Sequence, residues 1–167
     1  VRTDLPMGRG LGYSGAVRVA GALAALVGDD GTVTDDLRAE AVRITAVLEG
    51  HADNVAASAY GGVVATAGDQ VVKIPVNLEA RLVVWIPTFT TSTASSRSAL
   101  PISVAFEDAV FNVGRTALLV AALAAGRPDV LNEATRDRLH QARRLEVAAP
   151  SAAALEAALA NGALAAW

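Results

Sequence analysis

The chain has 167 residues, of which 53% are hydrophobic, 19% charged and 4% aromatic, with a formal net charge of -3. This length suits one average domain or two small ones, and the apolar content excludes a disordered chain. The negative charge and the few aromatic rings argue against nucleic-acid partners and anionic membranes, and the absence of cysteine excludes thiolate metal sites. Because the apolar runs are shorter than the roughly 20 residues that span a bilayer, we expect a soluble cytoplasmic protein.

The first predicted elements are a glycine-rich loop and two helices. The loop covers residues 5–16 and leads into a helix over Ser14–Val27. Thr34 or Asp35 is a good N-cap for a second helix that runs to Glu49. The apolar spacing predicts that one face of this helix lies in the core, formed by Leu37, Ala41, Ile44 and Leu48.

A third helix and a hairpin complete the predicted first half. The helix covers His51–Tyr60, and Asp53 is its candidate N-cap. Two strands over 63–67 and 71–75 follow, and Gly68-Asp69 is a typical hairpin turn between them. We expect a connector after these strands, with a domain boundary after residue 78.

The second half is predicted to begin with a buried strand over 82–86, which is a continuous apolar run. A long helix follows and ends at Gly126. Its predicted core face comprises Phe106, Val110, Val113, Ala117, Val120 and Ala124. Two further helices and a closing strand are predicted over 129–140, 151–161 and 163–167.

The glycine loop is the first candidate for chemistry. Closely spaced glycines let the backbone turn tightly and bring its N–H groups near a ligand, and a helix N-terminus adds unpaired donors. Such a loop favours a polyphosphate, although the lack of lysine excludes the common P-loop pattern. A tight turn that feeds a closely packed helix explains the same residues, and composition does not decide between the two.

Three other clusters carry polar side chains. The stretch from Glu49 to Asn54 holds an acid, an imidazole and an amide, but a helix end followed by an N-cap explains it equally well. The stretch 92–97 is either a polar loop or a helical turn on which Thr93 and Arg97 share a face. The basic stretch 136–144 is either a solvated helix end or a clamp for a carboxylate or phosphate.

Taken together, these stretches resemble one family. The loop Pro6-x-Gly8-Arg9-Gly10-Leu11-Gly12-x-Ser14-Gly15-Ala16 is similar to the second signature of the GHMP small-molecule kinases. The later stretches resemble the homoserine kinase branch of that family. They are Glu49-Gly50-His51-Ala52-Asp53-Asn54 with Gly61-Gly62, Ser92-Thr93-Ala94-x-x-Arg97, Asp108-Ala109-x-Phe111-Asn112-x-x-Arg115, and Asp137-Arg138-Leu139-His140-Gln141-x-x-Arg144.

The resemblance implies transfer of the γ-phosphoryl group of ATP to the side-chain hydroxyl of L-homoserine, a step of threonine biosynthesis. The implied fold is a two-domain α/β (α+β) fold. Residues 1–78 would form a domain like ribosomal protein S5 domain 2, and 79–167 a ferredoxin-like domain, each incomplete at its outer end. A homodimer is also implied, with no nucleic-acid or membrane partner.

The resemblance also assigns site residues. ATP would be bound by Pro6, Gly8, Arg9, Gly10, Leu11, Gly12, Tyr13, Ser14, Gly15 and Ala16. L-homoserine would be bound by His51, Asn54, Thr93, Arg97 and Arg144, of which Asn54 and Arg97 would be catalytic. Ser14 and Glu49 would hold Mg²⁺.

This sequence departs from the family pattern in three ways. Tyr13 stands where a serine is usual, and no residue is a strong general base. The helix carboxylate that helps hold Mg²⁺ in some relatives would fall near Arg43, and the nearest acids are Glu40 and Glu49. The open alternatives are another GHMP kinase with a different alcohol substrate, and a member that binds nucleotide without catalysis.

Overall fold

The computed structural model describes residues 2–88 and 100–167. The chain divides into two compact units, Val1–Pro75 and Val76–Trp167.

Three helices pack against one another in the first unit: α1 (Tyr13–Leu26), α2 (Asp35–Glu49) and α3 (Asp53–Tyr60). The Oγ1 of Thr34 accepts a hydrogen bond from the Leu37 N–H at 3.3 Å, so one of the two predicted N-caps begins α2. Gly50 ends α2 in the left-handed conformation that glycine favours. The helix bounds therefore lie within a few residues of the sequence expectation.

A two-stranded hairpin follows these helices. Strand β1 (Val63–Ala67) pairs antiparallel with β2 (Gln70–Ile74), and Ala67 lies opposite Gln70 across the two-residue turn. This confirms the predicted hairpin and its turn. The buried core lies mainly between the three helices and is formed by Val19, Val42, Val55, Ala56 and Ala59.

The predicted core face of α2 is right at Ala41 and wrong at Leu48. Ala41, Val42 and Thr45 are its buried residues, whereas Leu48 is 63% exposed. The buried face is displaced around the helix because α2 contacts both α1 and α3. Asp53 is likewise not an N-cap, since Ala52 holds that position and Asp53 is the first residue of α3.

The second unit is helical. Its elements are α4 (Phe106–Ala125), a 3₁₀ turn (Pro128–Val130), α5 (Leu131–Ala134), α6 (Gln141–Glu146) and α7 (Ala149–Ala160). The end of α4 is as predicted, with Gly126 left-handed at φ 66°. A Cβ built on Gly126 would lie 2.6 Å from the Asn77 carbonyl oxygen, so glycine is required there.

Two predicted strands do not form. Residues 82–86 and 163–167 are irregular, and Val83 is 90% exposed. Within residues 2–88 and 100–167 the sheet consists of the hairpin alone. An apolar run needs a neighbouring strand to satisfy its backbone N–H and C=O groups, and none of the described segments supplies one.

The predicted helix over 129–140 is broken after Ala134. The Thr135 hydroxyl donates back to the Leu131 carbonyl at 3.0 Å, and the Asp137 carboxylate accepts the next backbone N–H groups. Side chains therefore satisfy donors and acceptors that a continuous helix would have used.

The predicted core face of α4 is also wrong. Phe106 is 78% exposed and Val113 is 71% exposed. The helix instead turns Phe111, Asn112 and Arg115 toward the segment 133–138. With 20 residues and a mean hydropathy of 1.4, α4 is long and apolar enough to cross a bilayer, contrary to the expectation from the apolar runs. Core helices of soluble proteins share that property.

Candidate active site

The glycine loop presents its backbone at the start of α1. Gly8, Gly10 and Gly12 alternate along it with φ values of 67°, 74° and 71°. A Cβ built on Gly10 or Gly12 would meet nothing within 4 Å. Gly12 is the N-cap of α1, and the first turn of this helix contains no acidic residue. The loop and helix terminus therefore offer exposed N–H groups and a positive helix end to an anion.

Ser14 and Glu49 are in contact. The Ser14 hydroxyl donates to Glu49 Oε1 at 2.6 Å, which joins the start of α1 to the end of α2. The Glu49 side chain is 13% exposed, and the Arg18 guanidinium lies 2.7 Å from the same oxygen. Arg18 also donates to the Leu48 carbonyl at 2.9 Å. Arg18 is a further residue of this site that the sequence patterns did not single out, although its position four residues after Ser14 puts both on one face of a helix.

The start of α1 also packs against the start of α3. Gly15 is buried, and a Cβ placed on it would lie 3.3 Å from the Asn54 Cβ. This close approach accounts for the glycine. It brings the predicted phosphate loop next to Asn54, a residue assigned to the acceptor substrate.

His51 has a carboxylate partner that sequence reasoning treated as a helix cap. Its Nδ1 lies 2.5 Å from Asp53 Oδ1, and the same oxygen accepts the Asn54 N–H at 2.7 Å. A carboxylate on one ring nitrogen fixes the imidazole orientation and keeps the proton on Nδ1 in the neutral ring. Asp53 thus connects the two predicted substrate-binding residues of this segment.

The remaining predicted residues lie in the second half of the chain. Arg144 is exposed on α6, next to Arg143 in the last turn of that helix. Thr93 and Arg97 lie outside the described residues.

The second unit contains a carboxylate with several hydrogen-bond donors. Asp137 is 10% exposed, and its Oδ2 accepts from the N–H groups of His140 and Gln141 at 2.7 Å each. Burial alone would raise the pKa of Asp137, but these N–H groups and the Asn112 amide outweigh it and hold the pKa below 3.8.

The donor set near the loop fits a hard cation that is also bound by phosphates. Ser14 and Glu49 supply oxygen ligands, and Mg²⁺ typically takes one or two carboxylates plus substrate phosphates. No group of three or more acidic or histidine side chains in the described ranges could hold a metal without such phosphates. Glu40, another acid of α2, bonds Arg43 at 2.6 Å instead, and this hydrogen bond lowers its pKa.

The chain is similar to known proteins, and the similarity includes the residues of this site. The family model for the GHMP kinases N terminal domain matches residues 1–62, which include the glycine loop and all of α1 to α3. The chain is 43% identical over 166 residues to the homoserine kinase of Thermus thermophilus, and covers 56% of that protein.

Two further comparisons agree. The homoserine kinase of Moorella thermoacetica is 43% identical over 170 residues, and the chain covers 56% of it. A crystal structure of homoserine kinase from Cytophaga hutchinsonii superposes with a TM-score of 0.79 at 30% identity, over 98% of this chain and 54% of that one. The chain therefore spans about half the length of the relatives that it matches.

Proposed function

We propose that this chain is a homoserine kinase, an ATP-dependent enzyme that phosphorylates the side-chain hydroxyl of L-homoserine to O-phospho-L-homoserine in threonine biosynthesis. The observation that carries the proposal is the contact of the first turn of α1 with residues 49–54. Ser14 bonds Glu49, and Gly15 packs against Asn54. The resemblance to homoserine kinases over 98% of the chain supports the choice of substrate.

The proposed roles of the residues follow from their positions in the site. The N–H groups of the loop 6–16 bind the ATP phosphates, as a helix N-terminus favours. Ser14 and Glu49 hold Mg²⁺, which when bound neutralises charge on the phosphoryl group. Arg18 orients the Glu49 carboxylate through their contact at 2.7 Å.

The acceptor substrate is proposed to bind through side chains that match its groups. Arg97 and Arg144 suit its carboxylate, because a guanidinium binds a carboxylate with two parallel hydrogen bonds. Thr93, His51 and Asn54 hold the rest of the molecule, and Asn54 orients the hydroxyl. Asp53 restrains the His51 ring for this purpose. Because phosphoryl transfer depends mainly on positioning and charge stabilisation, these contacts account for catalysis without a strong base.

The proposal includes the folds of the two domains and the state of assembly. Residues 1–78 would be the S5-like domain and 79–167 part of a ferredoxin-like domain. The enzyme would be a cytoplasmic homodimer with no nucleic-acid or membrane partner.

A substrate panel tests the function. The purified chain is incubated with ATP and Mg²⁺, and ADP release is followed with L-homoserine, L-threonine or mevalonate as acceptor. We expect turnover that depends on L-homoserine and a new phosphomonoester signal in ³¹P NMR. Asn54→Ala should lose most of this turnover, while Glu156→Gln, an exposed change on α7, should keep it.

Other outcomes contradict the proposal in distinct ways. A preference for another alcohol would identify a different GHMP kinase. ATP binding without turnover on any alcohol would identify a nucleotide-binding member that is not a catalyst. Full activity of Asn54→Ala would remove Asn54 from its orienting role.

A further inference from the structure

Two polar stretches of the second unit are assigned to neither ATP nor the acceptor substrate, yet they contact each other closely. The residues Asp108, Phe111, Asn112 and Arg115 of α4 are spaced by three and four and lie on one helix face. Each of them contacts the segment 133–138, which leads into α6. The contacts are Asp108 to Arg138, Phe111 to Arg138, Asn112 to Asp137 and Arg115 to Glu133.

At the centre of these contacts, Asn112 and Asp137 form a reciprocal pair. The Asn112 amide donates to Asp137 Oδ1 at 2.6 Å, while its own Oδ1 accepts the Arg138 N–H at 2.9 Å. Both ends of the Asn112 side chain are therefore bonded to the segment. We call Asn112 and Asp137 the amide–carboxylate clamp.

The other oxygen of the clamp determines where α6 begins. Asp137 Oδ2 accepts the N–H groups of Leu139, His140 and Gln141 at 2.9, 2.7 and 2.7 Å. The N–H groups of His140, the N-cap, and of Gln141, the first helical residue, are donors that the start of a helix leaves without an intrahelical partner. Six-residue α6 is too short to be stable without such support.

The position of Arg144 depends on the residue at which α6 begins. Its backbone N–H bonds the His140 carbonyl at 3.0 Å, one turn after the residues that Asp137 holds. A shift in the start of α6 would rotate Arg144 by about 100° for each residue, because a helix has about 3.6 residues per turn.

Stacking fixes the same segment from the side. The guanidinium carbon of Arg138 lies 4.0 Å from the centroid of the Phe111 ring, and Arg115, on the same helix as Phe111, lies at the same distance from it. The Arg138 contact orients this end of the segment without using Arg144, which remains exposed.

We propose that Asn112 and Asp137 are positioning residues for the acceptor substrate: they set the register of α6 and thereby the direction of the Arg144 guanidinium toward the substrate carboxylate. This inference rests on the proposed function only for the identity of the ligand. The clamp acts through Arg144 and does not itself touch the substrate.

Kinetic coupling tests the proposal. Steady-state constants are measured for the wild-type chain, Asp137→Asn, Asn112→Ala, Arg144→Ala, and each clamp change combined with Arg144→Ala. We expect either clamp change alone to raise the KM for L-homoserine about tenfold and to leave the KM for ATP within twofold. In the Arg144→Ala background, the same clamp change should alter the KM for L-homoserine by less than twofold, because residues that act through one another are not additive.

Asp129→Asn is the matched control. It removes a carboxylate from the same unit that pairs with Arg127 on the surface, and it should leave both constants unchanged. Equal increases in the KM for L-homoserine with and without Arg144 would overturn the proposal, as would a parallel increase in the KM for ATP. An Arg144→Ala variant with the wild-type KM would overturn it too.

A second measurement does not depend on turnover and separates the two proposals. Amide hydrogen exchange is followed at residues 139–146 in the wild type, Asp137→Asn and Asp129→Asn. We expect at least about tenfold faster exchange in Asp137→Asn alone, because an amide has one oxygen where the carboxylate has two and cannot accept from both Asn112 and the N–H groups at the start of α6. Unchanged exchange would overturn the positioning role even in an active enzyme. Faster exchange in a chain that does not phosphorylate L-homoserine would retain the clamp and reject the proposed function.

Discussion

The Ser14 hydroxyl and the Glu49 carboxylate meet at 2.6 Å, although 35 residues separate them in the chain. The contact joins the glycine loop to the end of α2. It also explains why Arg18, on the same helix as Ser14, faces Glu49. An oxygen pair of this kind, held at the mouth of an anion-binding loop, suits a cation that is bound with phosphate.

Glu49→Gln is expected to weaken the response to Mg²⁺. The neutral amide is a poorer ligand for a hard cation and leaves Arg18 without its ion pair. The Mg²⁺ concentration for half-maximal turnover should rise about tenfold or more, measured by titration at saturating ATP. Glu40→Gln, on the exposed part of the same helix, is the control and should leave the titration unchanged. An equal Mg²⁺ concentration for half-maximal turnover in the two variants would exclude Glu49 as a Mg²⁺ ligand.

Ser14→Ala and Tyr13→Ser are expected to differ in their effect on kcat/KM. The Ser14 hydroxyl bonds a carboxylate, and losing a hydrogen bond to a charged group costs about 1.5–3 kcal/mol, or roughly 10- to 150-fold in kcat/KM. Tyr13→Ser restores the residue type usual at this place and should change kcat/KM by only a few fold. Turnover with L-homoserine measures both. Similar losses for the two variants would show that the roles within this loop are assigned incorrectly.

Gly15→Ala and Gly21→Ala provide a matched pair in α1. A methyl group at Gly21 meets nothing within 4 Å, so alanine should raise the free energy of unfolding by about 0.5–1 kcal/mol. At Gly15 the methyl group lies 3.3 Å from the Asn54 Cβ and should remove that gain. It should also shift Asn54 and lower kcat. Urea unfolding and turnover are the measurements, and equal stabilisation with full activity in both variants would contradict the packing.

Asp137 should stabilise the second unit in a pH-dependent manner. Its pKa is lowered in the folded state, so the stabilisation is fully present above the ordinary value of 3.8 and disappears as the pH falls through the folded-state pKa. The stability difference between the wild type and Asp137→Asn should therefore be largest near pH 7 and shrink below pH 3.8. Trp85 and Trp167 both lie in this unit, so tryptophan fluorescence during urea unfolding reports on it. Glu156→Gln is the control. A stability difference between the wild type and Asp137→Asn that stays constant from pH 7 to pH 3 would contradict the stabilising role of the Asp137 carboxylate.

Helix ends were predictable because they depend on local chemistry. Thr34 begins α2 through its hydroxyl, and Gly50 and Gly126 end helices in a left-handed conformation that other residues avoid. The hairpin turn at Gly68-Asp69 is equally local. Such features need information from only four or five neighbouring residues.

Helix faces and strand pairing were less predictable because they depend on partners. Leu48 and Phe106 fit an apolar period but are exposed, since other faces of α2 and α4 make the contacts. The apolar run 82–86 lacks a neighbouring strand among the described residues and remains irregular. Asp53 matched a helix cap by spacing, but its carboxylate bonds His51 instead.

The sequence by itself determined the helix ends and the hairpin, because caps and turns depend on consecutive residues, and its motif spacing carried the resemblance to GHMP kinases. Only the tertiary structure decided which side chains meet. It brought Glu49 to Ser14, Asn54 to Gly15 and Asp137 to Asn112. These contacts join residues far apart in the chain, and their existence depends on how helices pack in three dimensions rather than on any local preference.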